Sequence, residues 1–563
     1  MAIKIQGNIV LQYDGAGYSS TNIAVGYQSL LSNTTGTSNI GVGYHSLYNN
    51  TVGTSNIGIG YWALNANYAG IENVAVGGSA LTNNTTGYRN VSIGEQSLFN
   101  NLTGFTNIAV GYGALHDTTG SENVGIGSLA LYYNTTGVNT AVGSSALYNN
   151  TTGTNNVGIG HTALYTNSTG TDNTAIGFQS LYSNTIGSRN LAVGTAALYT
   201  HSTGTDNVAL GYKALNAATG SNNVAVGSGV MQVGASGGNN IGIGIQALYN
   251  NTGDSNIGIG SAALQTNTTG AENTAVGSVA MFYNLTGSFN VAVGRFSLYQ
   301  NLGNNNTAVG YQSLDSNTTG IENVAVGYQS LQSNVTGIQN VGIGAYTLFN
   351  NLTDLGTAIG WKAMYSNTTG AANMAIGARA LQNNATGSYN VAIGVDSLNN
   401  STTNGNVGLG YRSLYLQTTG SNNIAIGFQA MRTGTIANFN TAIGYQALQV
   451  TTGNNNIGIG FNSANGITSG SNNVVFGAYT GATAPISATG NNWIVLSDGV
   501  GNIRMVVDPT GDVGIGRTDA GYAVDVVGTI NASAILVNGS AVSGSGGITL
   551  GQVTATALGF NLV

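Results

Sequence analysis

A short run of alternating apolar and small residues organises this chain and recurs along most of its length. Residues 22–30 (NIAVGYQSL) are followed by a polar turn, and the same pattern returns at residues 39–47 and 56–64. About 28 copies, spaced 16 or 17 residues apart, continue to Gly477. A fixed short period predicts stacked structural units, each in contact with its neighbours.

Each copy, with positions counted from its Asn, is predicted to hold two short strands joined by a bend. The second position is Ile, Val, Thr, Leu or Met, the third is Ala, Gly or Ser in most copies, and the fourth is aliphatic until the last copy. Residues two apart share one face of a strand. We therefore expect the second and fourth positions to point into the core and the small third position to point outward. The ninth position, almost always Leu or Met, is expected in the second strand, packed against the fourth.

Two other repeat positions carry specific geometry. The fifth is Gly, which indicates a positive φ or a backbone passing too close for a Cβ atom. The first is Asn almost throughout, and stacked Asn side chains can hydrogen-bond along a ladder. A helix is excluded because Gly recurs too often and no helical periodicity is present. The predicted fold is all-β: a parallel β-solenoid or β-roll of about 28 coils.

The chain divides into three segments. Residues 1–21 read as strand and predict an N-terminal cap or attachment segment; residues 22–484 form the repeat array, a shaft of coils; and residues 485–563 form a small β-rich tip or junction. Because a coil of this size is thin, and small residues are expected on its outside, we predict that three chains pack side by side as an elongated homotrimeric fibre.

Composition narrows the possible partners. Charged residues make up only 5% of the chain and the net charge is −7, while the 42% of hydrophobic residues sit at fixed repeat positions, which excludes disorder. Eleven Lys and Arg scattered over 563 residues predict no basic stripe and no nucleic-acid partner. No apolar run approaches the length of a membrane helix, so membrane insertion is not expected. The N-terminus shows no signal-peptide pattern.

Candidate catalytic and metal-binding groups are dispersed. The four His residues fall at different repeat positions, so stacking is not expected to bring them together as metal ligands. Four Glu residues share one repeat position but lie in separate copies, which does not favour a carboxylate pair of the glycosidase type. We therefore predict no enzyme activity, no catalytic residue, no metal and no cofactor. The four His residues are His45, His116, His161 and His201, and the four Glu residues are Glu72, Glu122, Glu272 and Glu322.

Tyr is abundant, with 29 residues, many of which directly follow the repeat Gly or the repeat Leu. We expect these rings to stack into ladders that stiffen the coil surface. The alternative is that they form a platform for sugar rings.

The repeat carries a resemblance to known families. Residues 173–177 (NTAIG) are similar to the head repeat of trimeric autotransporter adhesins, a family that folds as a trimeric, left-handed parallel β-roll. The longer form at residues 306–314 (NTAVGYQSL) resembles repeat tracts of bacteriophage tail-fibre proteins. Residues 511–516 and 524–532 look like a stretch near the distal end of many phage fibres, which often precedes a self-cleaving chaperone domain.

These resemblances imply a structural fibre protein. The leading hypothesis is a phage tail fibre or other virion appendage that adheres to the host cell surface, with the virion baseplate or other fibre proteins and a host surface glycan or protein as partners. One alternative is a bacterial surface adhesin or extracellular filament subunit, located outside the cell or on its surface. A second alternative is a polysaccharide-degrading spike.

Unique sequence at the two ends predicts the polarity of such a fibre. We expect attachment through residues 1–21 and contact with the cell through residues 485–563, which are richer in charge and aromatic groups than the array. The alternative is that residues 485–563 only cap the stack or join another fibre protein. Aromatic and Arg side chains most often anchor recognition. The receptor-binding candidates are Trp493, Arg504, Arg517 and Tyr522.

Overall fold

The computed structural model describes the backbone of residues 2–5, 8–12, 21–217, 219–234, 236–521, 524–527, 536–537 and 540–541. It describes side chains in residues 21–217, 219–234, 236–521 and 524–527. The described residues contain strands, turns and bends and no helix. They form two compact units, Met1–Phe296 and Ser297–Val563.

The first unit begins with an antiparallel hairpin and continues as seventeen short parallel strands. Its strands are β1 (Ala2–Ile5), β2 (Asn8–Gln12), β3 (Ile23–Val25), β4 (Ile40–Val42), β5 (Ile57–Ile59), β6 (Val74–Val76), β7 (Val91–Ile93), β8 (Ile108–Val110), β9 (Val124–Ile126), β10 (Asn139–Val142), β11 (Asn156–Ile159), β12 (Thr174–Ile176), β13 (Leu191–Val193), β14 (Val208–Leu210), β15 (Val224–Val226), β16 (Ile241–Ile243), β17 (Ile257–Ile259), β18 (Thr274–Val276) and β19 (Val291–Val293).

The second unit holds eleven more strands of the array and then the C-terminal strands. Its strands are β20 (Thr307–Val309), β21 (Val324–Val326), β22 (Val341–Ile343), β23 (Thr357–Ile359), β24 (Met374–Ile376), β25 (Val391–Ile393), β26 (Val407–Leu409), β27 (Ile424–Ile426), β28 (Thr441–Ile443), β29 (Ile457–Ile459), β30 (Val474–Phe476), β31 (Ile494–Ser497), β32 (Ile503–Val507), β33 (Val513–Ile515), β34 (Val524–Val526), β35 (Leu536–Val537) and β36 (Ser540–Ala541).

Within each unit, the array is a parallel β-solenoid with one strand per coil. Each strand pairs in parallel with the next one at identical repeat positions, as in Ile23↔Ile40 and Val25↔Val42. In this register every repeat position forms a column of equivalent residues. The predicted all-β solenoid of about 28 coils is therefore confirmed.

The predicted orientation of the strand faces is wrong. The small third position is buried, as at Ala75 and Ala175, whereas the aliphatic second and fourth positions remain partly exposed, as at Val74 and Val76. The interior also has to hold the ninth-position Leu, such as Leu81, and buried Asn side chains. So narrow a coil favours a small side chain at the third position, which is Ala or Gly in nearly every coil, with Ser92 and Val475 as buried exceptions. The fourth position therefore lies on the outside of the coil and does not pack against the ninth.

The predicted second strand is also absent from the array. Residues after the Gly form a turn in which the seventh and ninth positions have positive φ, for example 53° at His45 and 51° at Leu47. This turn still bonds to adjacent coils: the Leu47 N–H donates to Ala63 O at 2.9 Å, and the His45 N–H donates to Tyr27 O at 2.9 Å. Positive φ is especially costly for β-branched side chains. This cost explains why Leu and Met, and not Val or Ile, occupy the ninth position.

The repeat Gly has both of the properties predicted for it, a positive φ and a neighbouring backbone too close for a Cβ atom. Gly43 has a φ of 136°, and a Cβ atom on it would lie 2.7 Å from the carbonyl carbon of Gly60 in the next coil. The predicted Asn ladder at the first position is confirmed, since Asn73 Nδ2 donates to Asn56 Oδ1 at 3.1 Å. A second Asn ladder, which the sequence analysis missed, runs through the twelfth position, where Asn67 Nδ2 donates to Asn50 Oδ1 at 2.7 Å.

The C-terminal strands continue the sheet of the second unit. β31 pairs in parallel with β30, β31–β32 and β32–β33 are antiparallel, and β34 adds in parallel to β33. The region after residue 484 is therefore rich in strands, as predicted, and Trp493 directly precedes β31.

Candidate functional site

The second and fourth positions of the coils form a feature that we call the outer aliphatic stripe. It consists of Val, Ile, Leu and Thr side chains that flank the buried third position of each array strand, as at Ile159, which is 38% exposed. Contiguous apolar surface of this kind normally marks an interface. The original argument for side-by-side packing, small residues on the outside, fails because those residues point inward. The outer aliphatic stripe supplies a different reason for the same packing.

Aromatic side chains stack into ladders on the coil surface. At the tenth position, Tyr148, Tyr165 and Tyr182 follow one another with ring centroids 5.2 Å apart and interplanar angles of 3° to 4°. Burial by its neighbours, together with a hydrogen bond to Tyr133, raises the pKa of Tyr148 to about 12. A sugar ring packs against an aromatic face, but in these ladders each face is covered by the next ring. The geometry therefore favours the stiffening interpretation over a sugar platform within the stacked runs.

The predicted receptor-binding residues do not form one cluster. The Gly516 N–H donates to Arg504 O at 3.0 Å, so Arg504 and Arg517 lie on neighbouring strand ends. Trp493 lies at the opposite end of the β31–β32 hairpin, because Ile494 is paired with Val507. Tyr522 is outside the described residues.

Both arginines are paired with carboxylates. Arg504 Nη2 lies 2.6 Å from Asp498 Oδ2, and hydrogen bonds, above all from the Asn502 side chain, lower the pKa of Asp498 below its usual range. Arg517 contacts Asp519 at 3.2 Å and Asp525 at 3.0 Å. These pairs reduce the net positive charge that the two arginines offer to a ligand.

Arg517 also lines an open cleft of about 400 Å³ between the end of the array and the C-terminal strands. Tyr479 forms part of the wall, and its phenol oxygen accepts a hydrogen bond from the Ile486 N–H at 3.0 Å. Burial raises the pKa of Tyr479. The phenol is thus engaged within the wall and holds the chain around Ile486 in place.

The four His residues occupy separate environments. His45 stacks on Tyr44 with a centroid distance of 4.1 Å, and His116 lies in a tenth-position aromatic stack next to Tyr132 at 4.6 Å. His161 is exposed, and His201 occupies a buried twelfth position that is Asn in most coils. Across the described ranges, no three His, Asp or Glu side chains converge as metal ligands.

Stacking brings together a group of charged residues that the sequence analysis treated as scattered. Lys362, Arg379, Asp396 and Arg412 occupy the seventh position of four consecutive coils, and Arg432 occupies the tenth position of the fifth. Ion pairs link Arg379 to Asp396 at 2.7 Å and Asp396 to Arg412 at 3.2 Å. The expectation of no basic stripe is wrong at this place. Aligning the copies by repeat position, rather than counting charges along the chain, would have revealed the column.

No protein-family model matches this chain, and no curated protein matches its sequence. In the part of the chain that the structure describes, no helix is long and apolar enough to cross a membrane.

Proposed function

We propose that this chain is a structural fibre protein that assembles as a homotrimer and adheres to a cell surface, most simply as a phage tail fibre or other virion appendage. The observation that carries the proposal is the outer aliphatic stripe. A coil that keeps small residues inside and places Val and Ile outside leaves those apolar side chains in water, which is unfavourable in free energy. Association along the stripe would recover that free energy over many successive coils.

Native mass spectrometry of the full chain tests the assembly. Ile159→Asp places a charge in the stripe, whereas Thr169→Asp places the same charge on an exposed turn of the same coil. We expect wild type and Thr169→Asp to be trimeric and Ile159→Asp to shift toward monomer, with an unchanged β-type far-ultraviolet spectrum. A monomeric wild-type chain, or equal effects of the two substitutions, would refute packing through the stripe.

Adhesion is tested by incubating the labelled full chain with bacterial cells. Antibodies against the chain then separate the candidate locations: labelling of virions supports the phage fibre, and labelling of cell surfaces supports the bacterial adhesin or filament. The regular solenoid is compatible with both. Release of reducing sugar from host polysaccharide would support the degrading spike instead.

The proposed polarity places attachment at residues 1–21 and cell contact at residues 485–563. The cleft that Arg517 lines is the concave feature that favours this end for recognition. In the full chain, Arg517→Gln should weaken cell binding more than Arg89→Gln. Arg89 is a suitable control because it is likewise paired with a carboxylate, Glu72, at 2.8 Å. Equal cell binding by both variants would argue against the C-terminal contact.

A further inference from the structure

Charge is distributed asymmetrically along the array. Residues 22–354 contain four Lys and Arg against eleven Asp and Glu, a net charge of −7. Residues 355–484 contain four Lys and Arg against one Asp, a net charge of +3. The four basic residues of this second stretch are those that stacking brings to one side of the second unit. We call Lys362, Arg379, Arg412 and Arg432 the cationic column.

Seventh-position and tenth-position side chains share this side of the coil. Lys362 Nζ lies 5.4 Å from the ring centroid of Tyr365, and Arg412 Cζ lies 5.2 Å from that of Tyr415, so these two seventh-position cations each lie over the tenth-position ring of their own coil. Arg432 occupies the tenth position in the coil after Tyr415. At about 4.8 Å per coil, the column extends over roughly 19 Å.

The one carboxylate in the column lies beneath its neighbours. The Asp396 side chain is only 3% exposed, whereas those of Arg379 and Arg412 are 41% and 31% exposed. Arg379 Nη2 donates a hydrogen bond to Asp396 Oδ2 at 2.9 Å. Arg379 Nε lies within ion-pair distance of Asp396 Oδ1, but its N–H does not point at that oxygen and makes no hydrogen bond to it. A buried carboxylate between two guanidinium groups fixes their positions and still leaves an excess of positive charge facing solvent.

Trp361 presents an aromatic face beside the column. The sixth position, which it occupies, is Ala345 in the preceding coil and Ala378 in the following coil, so neither neighbour in its column supplies a ring to cover it. Trp361 is 47% exposed, and Lys362 Nζ lies 4.9 Å from its ring centroid. This site therefore differs from the stacked Tyr ladders, where ring faces are occupied.

We propose that the cationic column and Trp361 form a binding surface for a linear acidic polysaccharide that lies along the coils. Carboxylates of the glycan would pair with the exposed cations, and a sugar ring would pack on the Trp361 face. One 1,4-linked pyranose unit advances a glycan by about the height of one coil, so charged groups on successive units can match the column. A B-form DNA duplex advances only about 3.4 Å along its axis for each phosphate of a strand, closer than the coil spacing of about 4.8 Å, and fits this column less well. Single-stranded DNA is the competing polyanion, and its binding is measured beside that of the glycan.

This surface lies in the array, away from the C-terminal residues of the proposed cell contact. Binding to this surface does not depend on whether the chain belongs to a virion or a cell. Failure of the cationic column to bind a polysaccharide would leave the proposed C-terminal cell contact unaffected, and failure of the C-terminal contact would leave the column unaffected.

The test measures binding of polygalacturonate, a 1,4-linked polyuronate, to the immobilised full chain by interferometry, with dextran and poly(dT) as comparison polymers. The double variant Lys362→Gln/Arg432→Gln removes two cations that, among the described residues, have no carboxylate within ion-pair distance. Gln already occupies the seventh and tenth positions in other coils, as at Gln329 and Gln382, so the coils should fold normally.

The matched control is Lys213→Gln/Arg295→Gln, which removes the same charge from the acidic part of the array. Its cations likewise lie over rings, Lys213 at 5.2 Å from Tyr212 and Arg295 at 4.7 Å from Phe296. We expect polygalacturonate to bind wild type in a salt-sensitive manner, the column variant to bind about tenfold more weakly, and the control to change by less than about twofold.

Trp361→Ala tests the stacking contact, because Ala is the residue at this position in both adjacent coils. We expect it to weaken polygalacturonate binding several-fold without altering the far-ultraviolet spectrum. The proposal is overturned by an absence of polygalacturonate binding to wild type, by equal losses in the column and control variants, by unchanged binding of Trp361→Ala, or by equal or tighter binding of poly(dT).

Discussion

Asn56 is an interior side chain whose amide connects three successive coils, and its replacement by Ala tests the ladder directly. Asn56 Nδ2 donates to Asn39 Oδ1 at 3.1 Å and to Gly70 O at 2.7 Å. Asn56 Oδ1 accepts hydrogen bonds from the Asn73 backbone N–H at 3.0 Å and from Asn73 Nδ2 at 3.1 Å. All three Asn residues are fully buried.

The magnitude follows from the groups that Asn56→Ala leaves without this partner. The Asn73 N–H loses its hydrogen bond inside the coil, and a buried polar group left unsatisfied costs about 1–3 kcal/mol. The Gly70 carbonyl loses one bond, worth about 1 kcal/mol, but keeps the bond from Asn67 Nδ2 at 3.1 Å. Asn73 Nδ2 retains its bond to Gly87 O at 2.8 Å, so its loss is smaller. We expect a local destabilisation of about 3–5 kcal/mol.

Hydrogen–deuterium exchange of the full chain is the appropriate assay, because a long repeat array does not unfold as one two-state unit. Amides in the coils that contain Asn39, Asn56 and Asn73 should exchange about 100- to 4000-fold faster in Asn56→Ala, at about 1.4 kcal/mol per factor of ten. Asn49→Ala is the control, because Asn49 is exposed on the turn of the adjacent coil. It should change exchange little.

Similar exchange in the two variants would refute the view that buried amide bonds stabilise the coils.

Position 356 allows the opposite test, the introduction of an Asn, because Gly stands there where most coils have Asn. Its N–H already donates to Asn340 Oδ1 at 2.8 Å. A new Cβ would lie 3.0 Å from Asn340 Oδ1 and 3.2 Å from Leu348 Cδ2, so these two side chains must shift by a few tenths of an ångström. Gly356→Asn should slow exchange in this coil and the next.

Three further predictions concern the core, a titrating group and the Gly column. Leu30→Asp should disrupt the neighbouring coils, because Leu30 is buried inside the coil, whereas Val25→Asp, in the outer aliphatic stripe, should weaken chain association but leave coil protection in hydrogen exchange of dissociated chains nearly unchanged; equal loss of protection in dissociated chains would contradict the assigned faces. Burial raises the pKa of Asp315 from 3.8 to about 6. The folded chain therefore holds this proton more tightly than the unfolded chain, so local stability should fall as pH rises from about 4 to 6; Asp315→Asn should remove that loss and stabilise its coil by about 1 kcal/mol at pH 7, allowing for partial exposure, and hydrogen exchange of both proteins at matched pH values will detect or exclude this difference. Gly43→Ala should destabilise locally by about 2–4 kcal/mol, because φ is positive and the next backbone occupies the space; unchanged exchange would contradict this.

The sequence by itself determined the repeating unit and most of its local geometry. The period predicted the coil, the apolar alternation predicted the strand at the second to fourth positions although a second strand was wrongly expected after it, and the repeated Gly marked the backbone contact seen between Gly43 and Gly60. These features depend on interactions between equivalent positions of adjacent coils, and a repeat displays such positions directly.

Only the tertiary structure decided which face of the strand points inward. Alternation shows that the second and fourth positions share a face, but it does not show which face is the core. The larger residues were expected inside, yet Ala75 is buried and Val76 is partly exposed, because Leu81 and the Asn ladders already fill the narrow interior. The turn after Gly likewise depends on inter-coil hydrogen bonds that hold Leu81 at a φ of 51°.

The charged column shows the same division at the level of a candidate site. Lys362, Arg379 and Arg412 lie 17 and 33 residues apart, and only an alignment of the copies by repeat position shows that they share one column. Stacking at identical repeat positions places them along one side, with Asp396 buried between two of them. The sequence determined which residues occupy the column. The coil register and the burial of each side chain decided that the cations are partly exposed to solvent, whereas Asp396, the one acidic residue among them, is buried.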